Sequence, residues 1–281
     1  MRPIRPDRAR GFTLIEMIVV LTILGILMAA VAIFIQRPMA GIIDMTRRAE
    51  LADTADTALR RMQRDLQRAL PNSVRVTSNG ATQLIEFLPT ISGGRYCAEA
   101  GTTVGGSACA ALDFTSAATA FGFIGNLPGF DANQVSEIAI YNLGIEGADA
   151  YRGDNTASFS SVSGNTVTMG SKAFPYPSPG NRFQLIGKPV SYVCAPATSG
   201  GDGTGTLMRV SGYSKQAAQP TAPASLASAS SHLLANRVAG CAIDYQQAAI
   251  DQNGLLTLTL TIQRNNEKVT LSHAIAIHNV P

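Results

Sequence analysis

Arg10-Gly11-Phe12-Thr13-Leu14-Ile15-Glu16, followed by an almost unbroken apolar run to Ile35, decides how this chain is read. Phe12 to Ile35 spans about 24 residues, roughly 36 Å as a helix, enough to cross a hydrocarbon core of about 30 Å with some tilt. Ahead of it, Arg2, Arg5, Arg8 and Arg10 face a single acid, Asp7, which marks the cytoplasmic flank of a span. A secretory signal places its small-residue cleavage site after the apolar region. Here Gly11 lies before it, so a cut there removes the basic leader and keeps the span. Glu16 is the anomaly, because a carboxylate inside a span costs about 2.5 to 3.5 kcal/mol at mid-helix and by default marks function. Cleavage after Gly11 would provide its counter-charge, an amino group on Phe12 that is cationic at neutral pH.

Gly11-Phe12-Thr13-Leu14-Ile15-Glu16 resembles the type IV prepilin motif. The resemblance implies cleavage between Gly11 and Phe12 by an inner-membrane prepilin peptidase, N-methylation of Phe12, and a role for Glu16 in docking onto a neighbouring subunit. Many major pilins of that family carry a helix-breaking proline where this chain has Ile33.

Outward from the motif, Leu51, Ala55, Leu59, Met62, Leu66 and Leu70 step by three or four, opposite a face rich in Arg47, Arg48, Asp53, Asp56, Arg60, Arg61, Arg64, Asp65 and Arg68. This is one apolar stripe of a helix that continues the span and stops at Leu70-Pro71. Pro38 should kink it or melt a turn near Arg37. Strand patterning begins after Asn72, with pairs predicted around Ser78-Asn79-Gly80 and, most clearly, at 255–263 and 268–278. Further strands are expected at 137–142, 182–186, 190–194, 206–211 and 242–247. Gly93 to Ala111, Gly144 to Asn165, Pro175 to Asn181 and Thr198 to Gly205 read as loops, and Gln216 to Ser231 as a flexible surface loop. The expected fold is α+β: a leader at 1–11, a transmembrane helix at 12–35, its amphipathic continuation at 36–70, and an antiparallel β-sheet domain at 71–281 that covers the stripe.

Cys97, Cys109, Cys194 and Cys241 all follow the span, on the oxidising side. Cys97 with Cys109 is favoured because the two bracket a short Gly-, Ser- and Ala-rich loop, which leaves Cys194 with Cys241; losing the first bond should mainly free that loop. A zinc site is disfavoured, since no C-x-x-C exists and His232, His273 and His278 are scattered. Asp149, Asp154 and Asn155 around Tyr151 match no EF-hand loop and read as a turn bonding its own backbone. Nucleophile, phosphate-loop and metalloprotease motifs are absent, so neither an enzyme nor a cofactor is expected. The net charge of +3, with 15% charged residues, comes from the leader and does not support nucleic-acid binding.

Strings spread along the chain, among them Ala69-Leu70-Pro71-Asn72-Ser73-Val74-Arg75, Tyr141-Asn142-Leu143-Gly144, Val190-Ser191-Tyr192-Val193-Cys194, Ala235-Asn236-Arg237-Val238-Ala239-Gly240-Cys241 and Val280-Pro281, resemble minor pilins of the mannose-sensitive haemagglutinin (MSHA) pilus. That resemblance implies a non-enzymatic subunit partnered by other major and minor pilins, held in the inner membrane with its C-terminal domain periplasmic, then carried on the cell-surface pilus. A type II secretion pseudopilin and a pilus-borne adhesin are the alternative readings.

Overall fold

A computed structural model describes residues 11–99, 101–221, 229–246 and 253–281, with 33–43 and 107 described through their backbone only. Residues 1–10 of the expected leader lie outside the described residues. Two compact units divide the chain, Met1–Glu50 and Leu51–Pro281.

A single helix, α1, runs Leu14–Leu66. It passes Pro38 without a break, so the melted turn expected there is not formed. Its end also differs from expectation. The helix stops at Leu66 rather than Leu70, because Leu70 N donates to Leu88 O at 2.7 Å and Arg68 O accepts from Thr90 N at 2.8 Å. The segment before Pro71, which a proline steers toward extended backbone, is thus recruited by a neighbouring strand.

The chain continues through β1 (Arg75–Asn79), β2 (Thr82–Phe87), β3 (Thr90–Tyr96), β4 (Thr103–Val104), β5 (Ser107–Ala108), β6 (Ala118–Ile124), β7 (Glu137–Ala139), β8 (Thr156–Ser163) and β9 (Thr166–Lys172). It ends with β10 (Arg182–Ile186), β11 (Val190–Ala195), β12 (Thr198–Ser199), β13 (Asp202–Gly203), β14 (Gly205–Ser211), β15 (Ser230–Gln246), β16 (Gly254–Arg264) and β17 (Glu267–Ile277). All pairings are antiparallel. One sheet has seven strands in the order β1-β2-β11-β14-β15-β16-β17, and β10-β3-β6-β9-β8-β7 close into a barrel. The molecule is α+β, an apolar N-terminal helix with a large antiparallel sheet domain.

The predicted stripe is the one that packs. Leu51, Ala55, Leu59, Met62 and Leu66 join Ile85, Tyr192, Leu207 and the inward row Leu256, Leu258, Leu260 and Ile262 of β16 in one core. Aliphatic alternation in β16 places every second side chain against the helix and its threonines on the other face. Asp65 ties the two layers together: its Oδ2 accepts from the Tyr192 hydroxyl at 2.7 Å and from Arg209 Nε at 2.8 Å. Burial, then the Asp65 carboxylate, push the Tyr192 hydroxyl well above its ordinary pKa, so it stays a proton donor.

The barrel is the main departure from the sequence reading. Gly93–Tyr96 and 156–163, predicted as loop, are strand. Glycine there serves close approach rather than a break: a Cβ on Gly93 would sit 2.8 Å from Phe183 O across the barrel seam. Phe121, Phe123 and Phe183 meet edge to face at 5.1 to 5.9 Å between centroids and fill the interior.

Disulfides join Cys97 to Cys109 and Cys194 to Cys241, with Cα atoms 6.2 and 6.5 Å apart. The first is more than a loop clip. Cys97 and Cys109 are buried, Cys97 N donates to Gly122 O at 2.9 Å, and Gly122 N to Ala110 O at 2.7 Å, so the bridge sits on barrel strand β6. The second fastens β11 to β15 across β14, which lies between them in the sheet order.

Gln216 to Ser231 is not a free loop over its described part. Arg75 lies over the Tyr151 ring and donates from Nη2 to Gln216 O at 2.8 Å and from Nη1 to Ala217 O at 2.7 Å. Asn79 Nδ2 reaches Thr221 O at 3.3 Å, and 230–231 already belong to β15. Under this strap Arg75 Nε donates to the buried Glu86 carboxylate at 2.6 Å, and the Tyr213 hydroxyl donates to it at 2.9 Å. Desolvation nonetheless raises the Glu86 pKa above its ordinary value. Residues 222–228 lie outside the described set.

Candidate functional site

The motif residues occupy the start of α1. Gly11 to Thr13 are non-helical and exposed, and nothing approaches within 4 Å of the position a Cβ on Gly11 would take. The Gly11-Phe12 bond therefore lies on open backbone. Thr13 is the N-cap: its carbonyl accepts from Glu16 N at 3.1 Å and Met17 N at 3.2 Å. The side chains reciprocate, with Glu16 N donating to Thr13 Oγ1 at 3.4 Å and Thr13 N to Glu16 Oε2 at 3.5 Å. This is a capping box, in which two otherwise orphaned amides find side-chain acceptors and the acid sits at the positive end of the helix dipole. Thr13 was missed from the sequence, although Thr-x-x-Glu before an apolar run is the signal that finds it.

Leu14–Ala32 follows, 19 residues or about 28 Å of helix, with none of it buried within the chain. Phe12 and Leu14 are each 78% exposed. By length and composition this helix is able to cross a membrane, with Glu16 near its start. Within it the Thr22 hydroxyl donates back to Val19 O at 2.9 Å, so it enters an apolar environment already bonded.

The other sequence candidates do not converge. Asp154 Oδ2 accepts from Gly147 N at 3.0 Å and Asp149 N at 3.3 Å, and Asp149 Oδ1 from Tyr151 N at 2.9 Å, so these carboxylates shape a turn. Asn155 is buried and donates to Ile140 O at 3.0 Å. His273 contacts Asp56 at 3.4 Å and His278 contacts Asn253 at 3.1 Å, on separate parts of the sheet. Among the described residues, no three His, Cys, Asp or Glu side chains gather as a metal site would require.

Residues 6–32 match the family model described as the prokaryotic N-terminal methylation motif. No curated protein and no solved structure matches the chain. The chain thus carries the prepilin-type signal of the type IV pilin and pseudopilin class, joined to an apolar helix and a large antiparallel domain.

Proposed function

We propose that the protein is a non-enzymatic minor pilin of an MSHA-like type IV pilus, corresponding to the MshO subunit of that system. A prepilin peptidase cuts it between Gly11 and Phe12 and N-methylates Phe12. The subunit waits in the inner membrane with its C-terminal domain in the periplasm, then joins other major and minor pilins, where it helps initiate or cap the filament. The observation that carries this reading is the order of parts at residues 6–32: basic flank, Gly11, Glu16 and the apolar run, so that a cut after Gly11 would keep the span.

The chemistry of Glu16 follows from its surroundings. In the isolated subunit its carboxylate lies one turn from the helix start, within reach of water and headgroups. Packed filament helices exclude that water, and an unpaired buried carboxylate becomes expensive. The cationic amine of Phe12 on an adjacent subunit is the matching partner, and pairing fixes the axial stagger between neighbours.

Mass spectrometry of the mature chain from peptidase-competent cells should find N-methyl-Phe12 at the N-terminus, and Gly11→Ala should leave the precursor uncut. A mature chain beginning at Met1 would overturn the reading. The same signal also fits a type II secretion pseudopilin; co-purification with secretion pseudopilins rather than pilins would assign it there.

A further inference from the structure

A groove of about 560 Å³ opens beside the end of α1, where the helix meets β2, β3 and β14. Its size falls in the roughly 300–1,000 Å³ range of clefts that hold a ligand. Four cationic side chains line it, Arg61 and Arg68 near the helix end, Lys188 between β10 and β11, and Arg209 on β14, against one acid, Asp65. That acid is committed inward. Asp65 Oδ2 holds the Tyr192 hydroxyl and Arg209 Nε, and Oδ1 lies 3.4 Å from Arg61 Nε. Arg68 and Lys188 are exposed and have no acidic partner among the described residues.

The half-buried Pro89, Ile91 and Val135 give the groove an apolar floor between these charges. Gly187 keeps that floor open, since a Cβ there would meet Gln134 O at 3.1 Å and the Pro89 ring at 3.2 Å. An apolar floor under spread-out cations suits a ligand bearing both apolar and carboxylate groups. A lone phosphate would want converging donors and no such floor. Nucleic acid fits poorly, because the four arginines and one aspartate ahead of Gly11 carry a charge equal to the net +3 of the whole chain. The remainder is neutral and lacks the long-range field that a phosphate backbone requires.

We propose that this groove docks an acidic, partly apolar peptide segment of another protein chain, with carboxylates held by Arg68 and Lys188 at its mouth and apolar side chains on Pro89 and Ile91. The inference is independent of the prepilin reading, since none of these residues belongs to the N-terminal motif.

The test uses the full chain in a non-ionic detergent at low ionic strength, titrated into a short fluorescein-labelled peptide of alternating leucine and glutamate and followed by fluorescence anisotropy. Binding should weaken about tenfold in Arg68→Glu combined with Lys188→Glu, as expected for two exposed ion pairs. Lys268→Glu, a charge reversal on distant β17, should change nothing. Both groove residues are exposed and unpaired, so an unchanged circular dichroism melt is expected to confirm the fold. Undiminished binding in the double variant, or equal loss in Lys268→Glu, would overturn the proposal. So would equal binding of the peptide with lysine for glutamate, displacement by millimolar inorganic phosphate, or preference for a DNA oligonucleotide. Salt-sensitive self-association that the double variant abolishes would reassign the groove to a second copy of this chain.

Discussion

Glu16 has one duty in the structure and a second in the proposed function, and a pair of substitutions separates them. It closes the capping box with Thr13, and in the proposed filament it neutralises a neighbour's amine. Glu16→Gln keeps a side-chain oxygen for Thr13 N but removes the charge, whereas Glu16→Ala removes both. If the charge docks the subunit, both variants should be processed at Gly11 and both should fall out of the pilus fraction; incorporation of the Gln variant at wild-type level would leave only the cap. Asp65 is the corresponding single residue in the domain. Asp65→Ala strands the Tyr192 hydroxyl and Arg209 Nε at a partly buried site and should destabilise the domain by about 1 to 3 kcal/mol in thermal or urea melts. Asp113 offers a pH test. Ser116 and then Thr115 donate to its carboxylate and hold its pKa at about 2. A carboxylate depressed in the folded state adds stability above its ordinary unfolded pKa and loses it as pH falls toward 2, a small effect at an exposed loop. A carboxyl NMR titration should place Asp113 near 2 and Ser116→Ala should move it up.

Among elements, β11 and β15 depend on a bond that reaches across the strand between them. The Cys194–Cys241 bridge closes 47 residues of sequence, and in the chain-entropy model such a loop is worth about 4 kcal/mol. Replacing both cysteines by serine should lower the melting transition more than replacing Cys97 and Cys109, whose separation is 12. The strap from Tyr213 to Thr221 depends on Arg75. Arg75→Ala leaves Glu86 buried without its cation, which should cost about 3 to 5 kcal/mol and expose the strap to proteolysis. These elements also show what sequence patterning can and cannot carry. Leu256, Leu258, Leu260 and Ile262 announce their strand because the inner face is wholly aliphatic, and Leu51 to Leu66 announce their helix for the same reason. Gly93, Gly94 and the serines of β8 hide theirs, because barrel closure needs small residues where strands approach and smallness also signals a turn. The strap was unreadable for a different reason. Gln216 and Ala217 contribute carbonyls, not side chains, and the arginine that binds them lies 141 positions before Gln216.

At the scale of the molecule, the sheet-and-helix core and the barrel core are joined through a buried polar hub. Asn72 donates from Nδ2 to Asn142 O and to Asn279 O, each at 3.0 Å, and its own N donates to Asn279 Oδ1 at 3.2 Å. Asn142 in turn donates to Pro71 O at 2.7 Å and accepts from Ala150 N at 2.9 Å. Buried hydrogen bonds of this kind are costly to break one-sidedly. Asn279→Ala should therefore destabilise both cores by about 1 to 3 kcal/mol, and hydrogen exchange should quicken at Asn72 and Ala150 as well as along β17. Asn72 and Asn279 are 207 residues apart, and β2 pairs with β11 rather than only with its hairpin neighbour. A chain synthesised from its N-terminal end presents Asn72 long before Asn279, so the helix stripe and the open hub emerge first and wait for the last strands. The stripe is consequently covered only when the final strands arrive, and until then its leucines are open to capture by any other apolar surface.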